Sequence, residues 1–251
     1  MDDAVLVADA GGVRTITWND PDRLNGLTGV MLDIASDAVE QVPDGTRVVL
    51  FTGAGRGFST GARLDGPISG TEPMDRANRL IRAIVASPLP VVAAVNGPAA
   101  GFGCSVALAA DITIAKESAY FLLPFTNIGL MPDGGATAVV AASIGRARAS
   151  AMALLGERLP AGDAAAAGLV HRAVPDDDFA AEVDRLVDRL AHGAGVAYRA
   201  TKQAIAAATL PHLDDALDRE RDLQVQLFDT ADFAEGTTAF MQKRPPVFEG
   251  Q

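Results

Sequence analysis

The stretch that most constrains the fold of this chain is residues 96–112, NGPAAGFGCSVALAADI. The apolar run PVVAAV at residues 90–95 predicts a buried strand before it, and an apolar run of helical length follows Gly101-Phe102-Gly103. A strand, a glycine-rich turn and a helix in this order direct unpaired backbone N–H groups and the positive end of the helix dipole at one point. Such a point attracts an anion, or an oxygen that gains charge during a reaction. Taken alone, the same glycines are equally consistent with close packing of the strand on the helix.

The rest of the chain divides by its hydrophobic pattern into two parts. The first part alternates strands, predicted at residues 4–9, 13–18, 47–52, 90–95, 111–115, 119–123 and 169–174, with helices, predicted at 28–42, 77–86, 136–144, 146–155 and 161–167, and a polar loop at 65–73. The second part predicts helices alone, at 177–192, 196–208, 213–227 and 229–242. The sequence therefore predicts an α/β fold with a β/α part at residues 1–175 and a helical part at residues 176–251.

Charge and cysteine content exclude several kinds of partner and site. The 251 residues carry a net charge of −11, so we expect neither nucleic acid nor an anionic membrane as a partner. The start of the chain is acidic, and the apolar runs are broken by Gly, Pro or Asp, so we expect no membrane span and a cytoplasmic location. The single cysteine, Cys104, excludes an internal disulfide and a cysteine-based metal site.

Six motifs occur in an order and spacing that are specific as a set. They are ITWNDPDRLNGLT at residues 16–28, RVVLFTGAGRGFSTGARL at 47–64, PVVAAVNGPAAGFGCSVALAADI at 90–112, FLLPFTNIGLMPDGGAT at 121–137, AGLVHRAV at 167–174 and FMQKRPPVF at 240–248. Together they resemble the crotonase superfamily, the enoyl-CoA hydratase/isomerase family, over essentially the whole chain. The resemblance implies a crotonase (ClpP-like) spiral of ββα repeats, followed by C-terminal helices that assemble a homotrimer, or a hexamer of two trimers. It also implies an acyl-CoA thioester substrate and no metal or redox cofactor.

The resemblance gives the two glycine-rich turns linked roles. It implies that the backbone N–H groups of Ala62 and Phe102 form an oxyanion hole for the thioester carbonyl. Gly61, Gly101 and Gly103 flank these donors and carry no side chains that would crowd the substrate. Such donors stabilise the charge that develops on the thioester oxygen.

Other positions are implied to contact the coenzyme A part of the substrate. Arg23 and Leu24 lie in a turn that resembles the segment holding the CoA nucleotide, where Arg23 is either a phosphate or adenine neighbour or a solvated charge. Phe240 and Lys243 stand where the C-terminus of family members helps to cover CoA. Arg63 occupies a position at which family members usually carry aspartate, and we predict that its side chain is directed to the surface.

The acid–base residues of a hydratase are missing. The resemblance implies two glutamates for hydration, but this chain has Ser105 at the first position and Phe125 at the second. Hydration needs both proton carriers, so their absence disfavours it. Asp133, in PDGG, resembles the acidic residue of Δ3,Δ2-enoyl-CoA isomerases and ring-oxepin isomerases, and the nucleophilic aspartate of aryl-CoA dehalogenases. Dehalogenation also needs a histidine near the first oxyanion turn, and the histidines here all lie late in the chain.

Asp133 has a structural alternative, because an aspartate before a helix is a good N-cap. The resemblance favours the chemical role, in which Asp133 moves a proton while a 3-enoyl-CoA becomes a 2-enoyl-CoA. That role requires burial to raise its pKa above the usual value of about 3.9. Two other functions stay open: a hydratase or another oxyanion-hole reaction with Ser105 as a polar helper, and an acyl-CoA-binding homologue without catalysis.

Overall fold

The main sheet contains most of the strands that the apolar runs predict. The computed structural model describes residues 4–64, 66 and 68–250. Its strands are β1 Val5–Ala10, β2 Val13–Trp18, β3 Val48–Gly53, β4 Val91–Val95, β5 Ala99–Ala100, β6 Ile112–Lys116, β7 Tyr120–Leu122, β8 Leu159–Pro160 and β9 Arg172–Val174. The larger sheet has the order β1-β2-β3-β4-β6-β9, in which the β1–β2 hairpin is antiparallel and the other pairs are parallel.

Helices cover both faces of this sheet, as parallel strands require. They are α1 Gly29–Glu40, α2 Glu72–Ala86, α3 Phe102–Ala109, α4 Ala136–Leu155, α5 Ala161–Ala167, α6 Phe179–Ala191, α7 Gly195–Thr209, α8 Leu213–Phe228 and α9 Ala231–Gln242. Successive residues of β3 point to opposite faces. Val49 and Phe51 enter the larger core, whereas Val48 and Leu50 join the core that α6 covers.

A second, smaller sheet positions the glycine-rich turns. It has the order β5-β7-β8. The segment that follows β3 reaches this sheet through a parallel bridge between Ser59 and Ala99, and Ala62 forms a further parallel bridge with Leu27. Short segments from several ββα repeats therefore lie side by side here. The sequence did not predict β5 and β8, because two-residue strands carry no recognisable alternation.

The largest difference from the predicted elements is at α2. This helix begins at Glu72 instead of residue 77, so the end of the predicted loop at residues 65–73 is helical. Pro73 fits the first turn because the N–H that proline lacks would have no helical partner there. Asp65 and Pro67, also in the predicted loop, lie outside the described residues.

The helix α4 joins two predicted helices across a break. Gly145 has φ 78° and ψ 159°, which is not helical, at the boundary that the sequence predicted between residues 144 and 146. Among the described residues α4 is the one helix whose length and apolar composition would allow it to cross a membrane, whereas the sequence led us to expect no such run. Leu154 and Leu155 at its end are exposed, with 70% and 59% of their surface accessible.

The helices after β9 are joined to the rest of the protein by packing. Phe179, Val183 and Val187 of α6 are buried against the main sheet. The helical part from residue 176 onward thus shares a hydrophobic core with the part before it. The division into two regions at residue 175 stays a prediction.

The helix α7 is held by one buried ion pair. None of its residues is buried as a whole, but only 7% of the Lys202 side chain is exposed. Its Nζ lies 2.8 Å from Oδ2 of Asp111 and donates to the backbone carbonyls of Ile84 (2.8 Å) and Leu89 (3.2 Å). Burial lowers the pKa of Lys202 and raises the pKa of Asp111, while their attraction opposes both shifts.

We predict that Lys202→Met lowers the free energy of unfolding by about 3 kcal/mol, because the Asp111 carboxylate would lose its cation. The double variant Lys202→Met/Asp111→Asn should recover part of this loss. Urea unfolding at pH 7 and a fixed chain concentration measures both. A single variant as stable as the wild type would show that the ion pair does not anchor α7.

Candidate active site

The two glycine-rich turns meet in the structure. A Cβ atom placed on Gly61 would lie 3.0 Å from the backbone nitrogen of Phe102 and 2.9 Å from the carbonyl oxygen of Ala100. The backbone N–H of Ala100 donates to the carbonyl of Ser59 at 2.8 Å, which fixes the relative position of the two turns. The close approach leaves no space for a side chain at Gly61, where φ is +87°.

The N–H groups of Ala62 and Phe102 lie at this contact, and neither has a backbone acceptor among the described residues. Leu27 donates to the carbonyl of Gly61, and Arg63 donates to the carbonyl of Leu27, so the pairing uses groups on either side of Ala62. Phe102 is the first residue of α3, where helical N–H groups have no partner in the helix. Within the described residues no backbone carbonyl accepts from Ala62 or Phe102. These N–H groups are suited to hold a developing oxyanion.

Asn25 holds the first glycine turn in place, a role that the sequence analysis missed. It is fully buried, and its side-chain nitrogen donates to the carbonyls of Ala54 (3.0 Å), Gly57 (2.8 Å) and Phe58 (3.2 Å). The hydroxyl of Ser59 donates to the Asn25 carbonyl and accepts from the Gly61 N–H. An asparagine directly before Gly26 in a turn was the available signal, since asparagine tolerates the positive φ of 57° found here.

Asp133 lies in a turn that packs on the first turn of α3. A Cβ atom on the next residue, Gly134, would lie 2.7 Å from the ring of Phe102 and 2.8 Å from Cβ of Ser105. The Ser105 hydroxyl donates to the backbone carbonyl of Asp133 at 2.7 Å. The structure therefore brings the turn of Asp133 next to Phe102, whose N–H the resemblance implies as an oxyanion donor, and the Ser105 hydroxyl holds that turn on α3.

The carboxyl group of Asp133 is buried and only partly paired. The residue is 7% exposed, and Oδ2 accepts from Nε2 of Gln224 at 3.0 Å. Oδ1 is buried without a hydrogen-bond partner among the described residues. Burial raises the pKa of Asp133, the nearby Glu220 charge adds to this rise, and the Gln224 hydrogen bond opposes it, which together give a pKa of about 7. A carboxyl group with this pKa can both accept and release a proton near neutral pH.

Asp133 is not the N-cap of α4. The capping residue is Gly135, and no side chain caps the helix from that position. Glu220 of α8 accepts instead from the N–H groups of Gly135 (2.7 Å) and Thr137 (3.0 Å). The structural alternative for Asp133 is therefore wrong, because a distant side chain already binds the N–H groups that Asp133 would have capped.

Glu220 and Gln224 were missed by the sequence analysis, although a signal was present. Leu213, Leu217, Glu220 and Gln224 are all buried on α8 at helical spacing. Two polar residues thus continue an apolar stripe. A buried polar residue is expected to have a hydrogen-bonding partner, so polar residues in this stripe indicate a hydrogen bond to another element.

Arg23 and Phe240, which the resemblance implies as CoA contacts, are much more exposed than Asp133. The side chain of Arg23 is 63% exposed and lies 3.5 Å from the Asp20 carboxylate. The next residue, Leu24, has a left-handed backbone conformation with φ 51°. Phe240 is 63% exposed near the end of α9, and Lys243 ends that helix with φ 54°.

Arg63 and Phe125 differ in how far their side chains are exposed. The sequence analysis predicted that the Arg63 side chain is directed to the surface, and the structure shows it only partly exposed. Its side chain is 28% exposed, lies 3.6 Å from Asp20, and would contact a Cβ atom on Gly26 at 2.8 Å. Phe125 is 7% exposed and begins a short 3₁₀ turn, Phe125–Ile128. It therefore places an apolar ring at the position where the resemblance implies a hydratase glutamate.

Comparison with known proteins gives a matching family model, similar sequences and a similar solved structure. A family model described as enoyl-CoA hydratase/isomerase matches residues 8–251. A crystal structure of an enoyl-CoA hydratase from Mycobacterium avium subsp. paratuberculosis K-10 is 52% identical, covers 98% of both chains and has a TM-score of 0.94. A "probable enoyl-CoA hydratase" of Rhodobacter capsulatus is 42% identical over 96% of this chain and 95% of its own. The 1,2-epoxyphenylacetyl-CoA isomerase of Escherichia coli is 40% identical over 96% of each chain.

The raised pKa of Asp133 predicts how stability depends on pH. The folded protein holds this proton up to about pH 7, whereas the unfolded chain releases it near pH 3.8, so ionisation costs folding stability as the pH rises between these values. Asp133→Asn stays neutral. Its stability relative to the wild type should therefore increase from pH 4 to pH 8, by roughly 1.4 kcal/mol for each pKa unit of the shift.

Urea unfolding at a series of pH values and one chain concentration measures this difference. Asp177→Asn, at an exposed position, is the matched control and should show no such trend. A stability difference between Asp133→Asn and the wild type that is constant from pH 4 to pH 8 would contradict the raised pKa.

Proposed function

Because this chain belongs to the enoyl-CoA hydratase/isomerase family, an acyl-CoA enzyme family with the predicted crotonase fold, we propose that it moves the double bond of a 3-enoyl-CoA to give a 2-enoyl-CoA. One observation supports this choice above the others. The carboxyl group of Asp133 is buried, has a pKa of about 7 and lies in the turn that packs on Phe102, while Ser105 and Phe125 occupy the positions that the resemblance gives to the hydratase glutamates.

In the proposed reaction Asp133 transfers one proton between two carbon atoms. Its carboxylate removes a proton from C2, the electron pair of that C–H bond forms a C1–C2 double bond, and the carbonyl π pair moves onto the thioester oxygen, which gives a dienolate that keeps its C3–C4 double bond. When the carbonyl re-forms, the C1–C2 pair becomes the C2–C3 double bond and the C3–C4 pair takes up the proton at C4. The N–H groups of Ala62 and Phe102 hold the thioester oxygen while it carries the negative charge. Asp133 then returns the proton to C4. These steps need no metal or redox cofactor, and coenzyme A takes part only as a portion of the substrate.

The surroundings of Asp133 suit a proton that must not be lost to water. The carboxyl group is buried, and α3 contributes the apolar ring of Phe102 beside the next residue, Gly134. Hydration, by contrast, requires one group to activate water and another to protonate the α-carbon. The positions that supply these groups in hydratases hold a serine and a phenylalanine here. The hydratase names of several relatives are therefore weaker support than the chemistry of the site.

A ring epoxide is the second candidate substrate. The relative from Escherichia coli that is 40% identical is named 1,2-epoxyphenylacetyl-CoA isomerase. A carboxyl group with a pKa of about 7 is substantially protonated at neutral pH, and a protonated carboxyl could donate to an epoxide oxygen as its C–O bond breaks. The same oxyanion hole and the same aspartate would serve both reactions, so a substrate panel separates them.

The activity test compares 3-hexenoyl-CoA, 1,2-epoxyphenylacetyl-CoA and crotonyl-CoA as substrates. We expect the wild type to convert 3-hexenoyl-CoA to the 2-enoyl thioester, with kcat/KM rising through about pH 7 as Asp133 ionises. Asp133→Asn should lower kcat by about 10²–10⁴ with little change in KM, since it removes the proton carrier and keeps the shape.

Asp177→Asn serves again as the control and should keep the wild-type rate. Exclusive turnover of the epoxide would select the second candidate. Fast hydration of crotonyl-CoA that survives Asp133→Asn would sink the proposal in favour of a hydratase. Tight binding without any turnover would favour an acyl-CoA-binding homologue.

We also propose that the chain assembles as a homotrimer or as a hexamer of two trimers. Its C-terminal half exposes apolar side chains that a monomer would leave in water, namely Leu154 (70%), Leu155 (59%), Val196 (86%) and Ile205 (58%). Light scattering should give three or six times the chain mass at micromolar concentration. A monomeric mass would contradict this proposal. The cytoplasmic location, and the absence of nucleic-acid and membrane partners, remain predictions.

A further inference from the structure

Two buried polar side chains of α8 face the turn that carries Asp133. Glu220 and Gln224 are separated by one helical turn, and each is only 1% exposed. Glu220 accepts from the N–H groups of Gly135 and Thr137 and from the Thr137 hydroxyl. Gln224 accepts from the Met131 N–H at 3.1 Å, and its Nε2 donates to the Met131 carbonyl and to Asp133 Oδ2, both at 3.0 Å. Together they bind the turn on both sides of the aspartate.

We propose that Glu220 and Gln224 are positioning residues for Asp133. Glu220 keeps the carboxyl group of Asp133 from capping α4, and Gln224 fixes the direction in which the Asp133 carboxyl group points. The proposal rests on the proposed proton-transfer role of Asp133, because it assigns the groups that prepare this aspartate for that role.

The role of Glu220 follows from competition for the same N–H groups. The free N–H groups at the start of a helix attract the nearest carboxylate, and an aspartate just before the helix is the usual partner. Glu220 binds these groups from α8, so the Asp133 carboxyl has no helical donors and its Oδ1 stays unpaired among the described residues. An aspartate that capped α4 would be held as a stable anion and would be a weak base.

The role of Gln224 follows from its bidentate hold on the turn. One amide pairs with both backbone groups of Met131 and with one carboxyl oxygen of Asp133. The other oxygen is thereby left to meet the substrate. A proton carrier held by a single fixed donor keeps one orientation, which positions it for transfer between neighbouring atoms.

The two side chains act on Asp133 in opposite directions. The charge of Glu220 raises the pKa of Asp133, and the Gln224 hydrogen bond lowers it. Among the described residues Glu220 is the titratable group whose charge acts on Asp133, while α3 presents only the neutral Ser105 and Phe102 to this turn. Arg219, on α8, acts on Glu220 in turn.

Two variants with opposite expected effects test the proposal. Glu220→Gln removes the charge and keeps the shape, so the acidic limb of the kcat/KM profile should move to lower pH by at least about half a unit. Gln224→Met removes the donor and keeps the volume, so the same limb should move to higher pH by a similar amount, with kcat reduced at least about tenfold and KM little changed. The exposed positions Asp222→Asn and Gln226→Leu, on the same helix, are matched controls and should leave the profile unmoved.

A second measurement does not depend on turnover. The pH at which the stability gain of Asp133→Asn over its parent levels off reports the pKa of Asp133 in the folded protein, because the unfolded chain already ionises near pH 3.8. Repeating that comparison in the Glu220→Gln and Gln224→Met backgrounds should move this pH down and up, respectively. If the wild type lacks isomerase activity, the proposed function fails and this measurement still decides whether the pair controls Asp133.

Circular dichroism identifies any variant that fails to fold, and the other variant then decides the outcome alone. Shifts of the expected opposite sign would support the proposal. The proposal would be overturned if a folded variant had the same kcat/KM profile and the same pH dependence of the Asp133→Asn stability gain as the controls. Shifts of the same sign in both variants would also overturn it.

Discussion

A buried turn must pair its backbone N–H and C=O groups, and this requirement organises the whole site. The turns on which the chemistry depends run through the interior without a regular strand or helix to pair all of their polar groups. Side chains from other elements complete them: Asn25 for the turn after β3, and Glu220 with Gln224 for the turn before α4. The N–H groups of Ala62 and Phe102, which have no backbone acceptor among the described residues, are the ones that the proposed reaction uses.

The same requirement accounts for the electrostatics of Asp133. Glu220 already binds the N–H groups of Gly135 and Thr137 at the start of α4, so the Asp133 carboxyl is buried with one hydrogen bond from Gln224 and a second carboxylate nearby. Burial with so few donors favours the protonated form. A carboxyl group that would be a permanent anion at the surface thus becomes a group that exchanges protons near pH 7. The protein accepts some loss of stability at this position, as is common where strained or poorly paired groups carry function.

The regular elements could largely be predicted from the sequence. The apolar strand β4, the hairpin of β1 and β2, and the Thr28 cap of α1 follow from local pattern, and the structure contains each of them. The sequence pattern failed where the signal was short or ambiguous. The strands β5 and β8 are too brief to alternate, and the start of α2 at Glu72 was obscured by the Gly and Pro residues just before and within it.

For the site, the sequence by itself determined which chemical groups are available. The glycine spacing that lets two turns approach each other, and the serine and phenylalanine at the hydratase positions, are local properties of the chain. Only the tertiary structure decided that Asp133 does not cap α4. Asp133 could have been a helix cap or a free proton carrier, depending on whether another carboxylate reaches the first turn of α4. That carboxylate belongs to Glu220, which lies 85 residues beyond Gly135. Competition between groups so distant in the chain has no local signature, because only folding brings them within hydrogen-bonding distance.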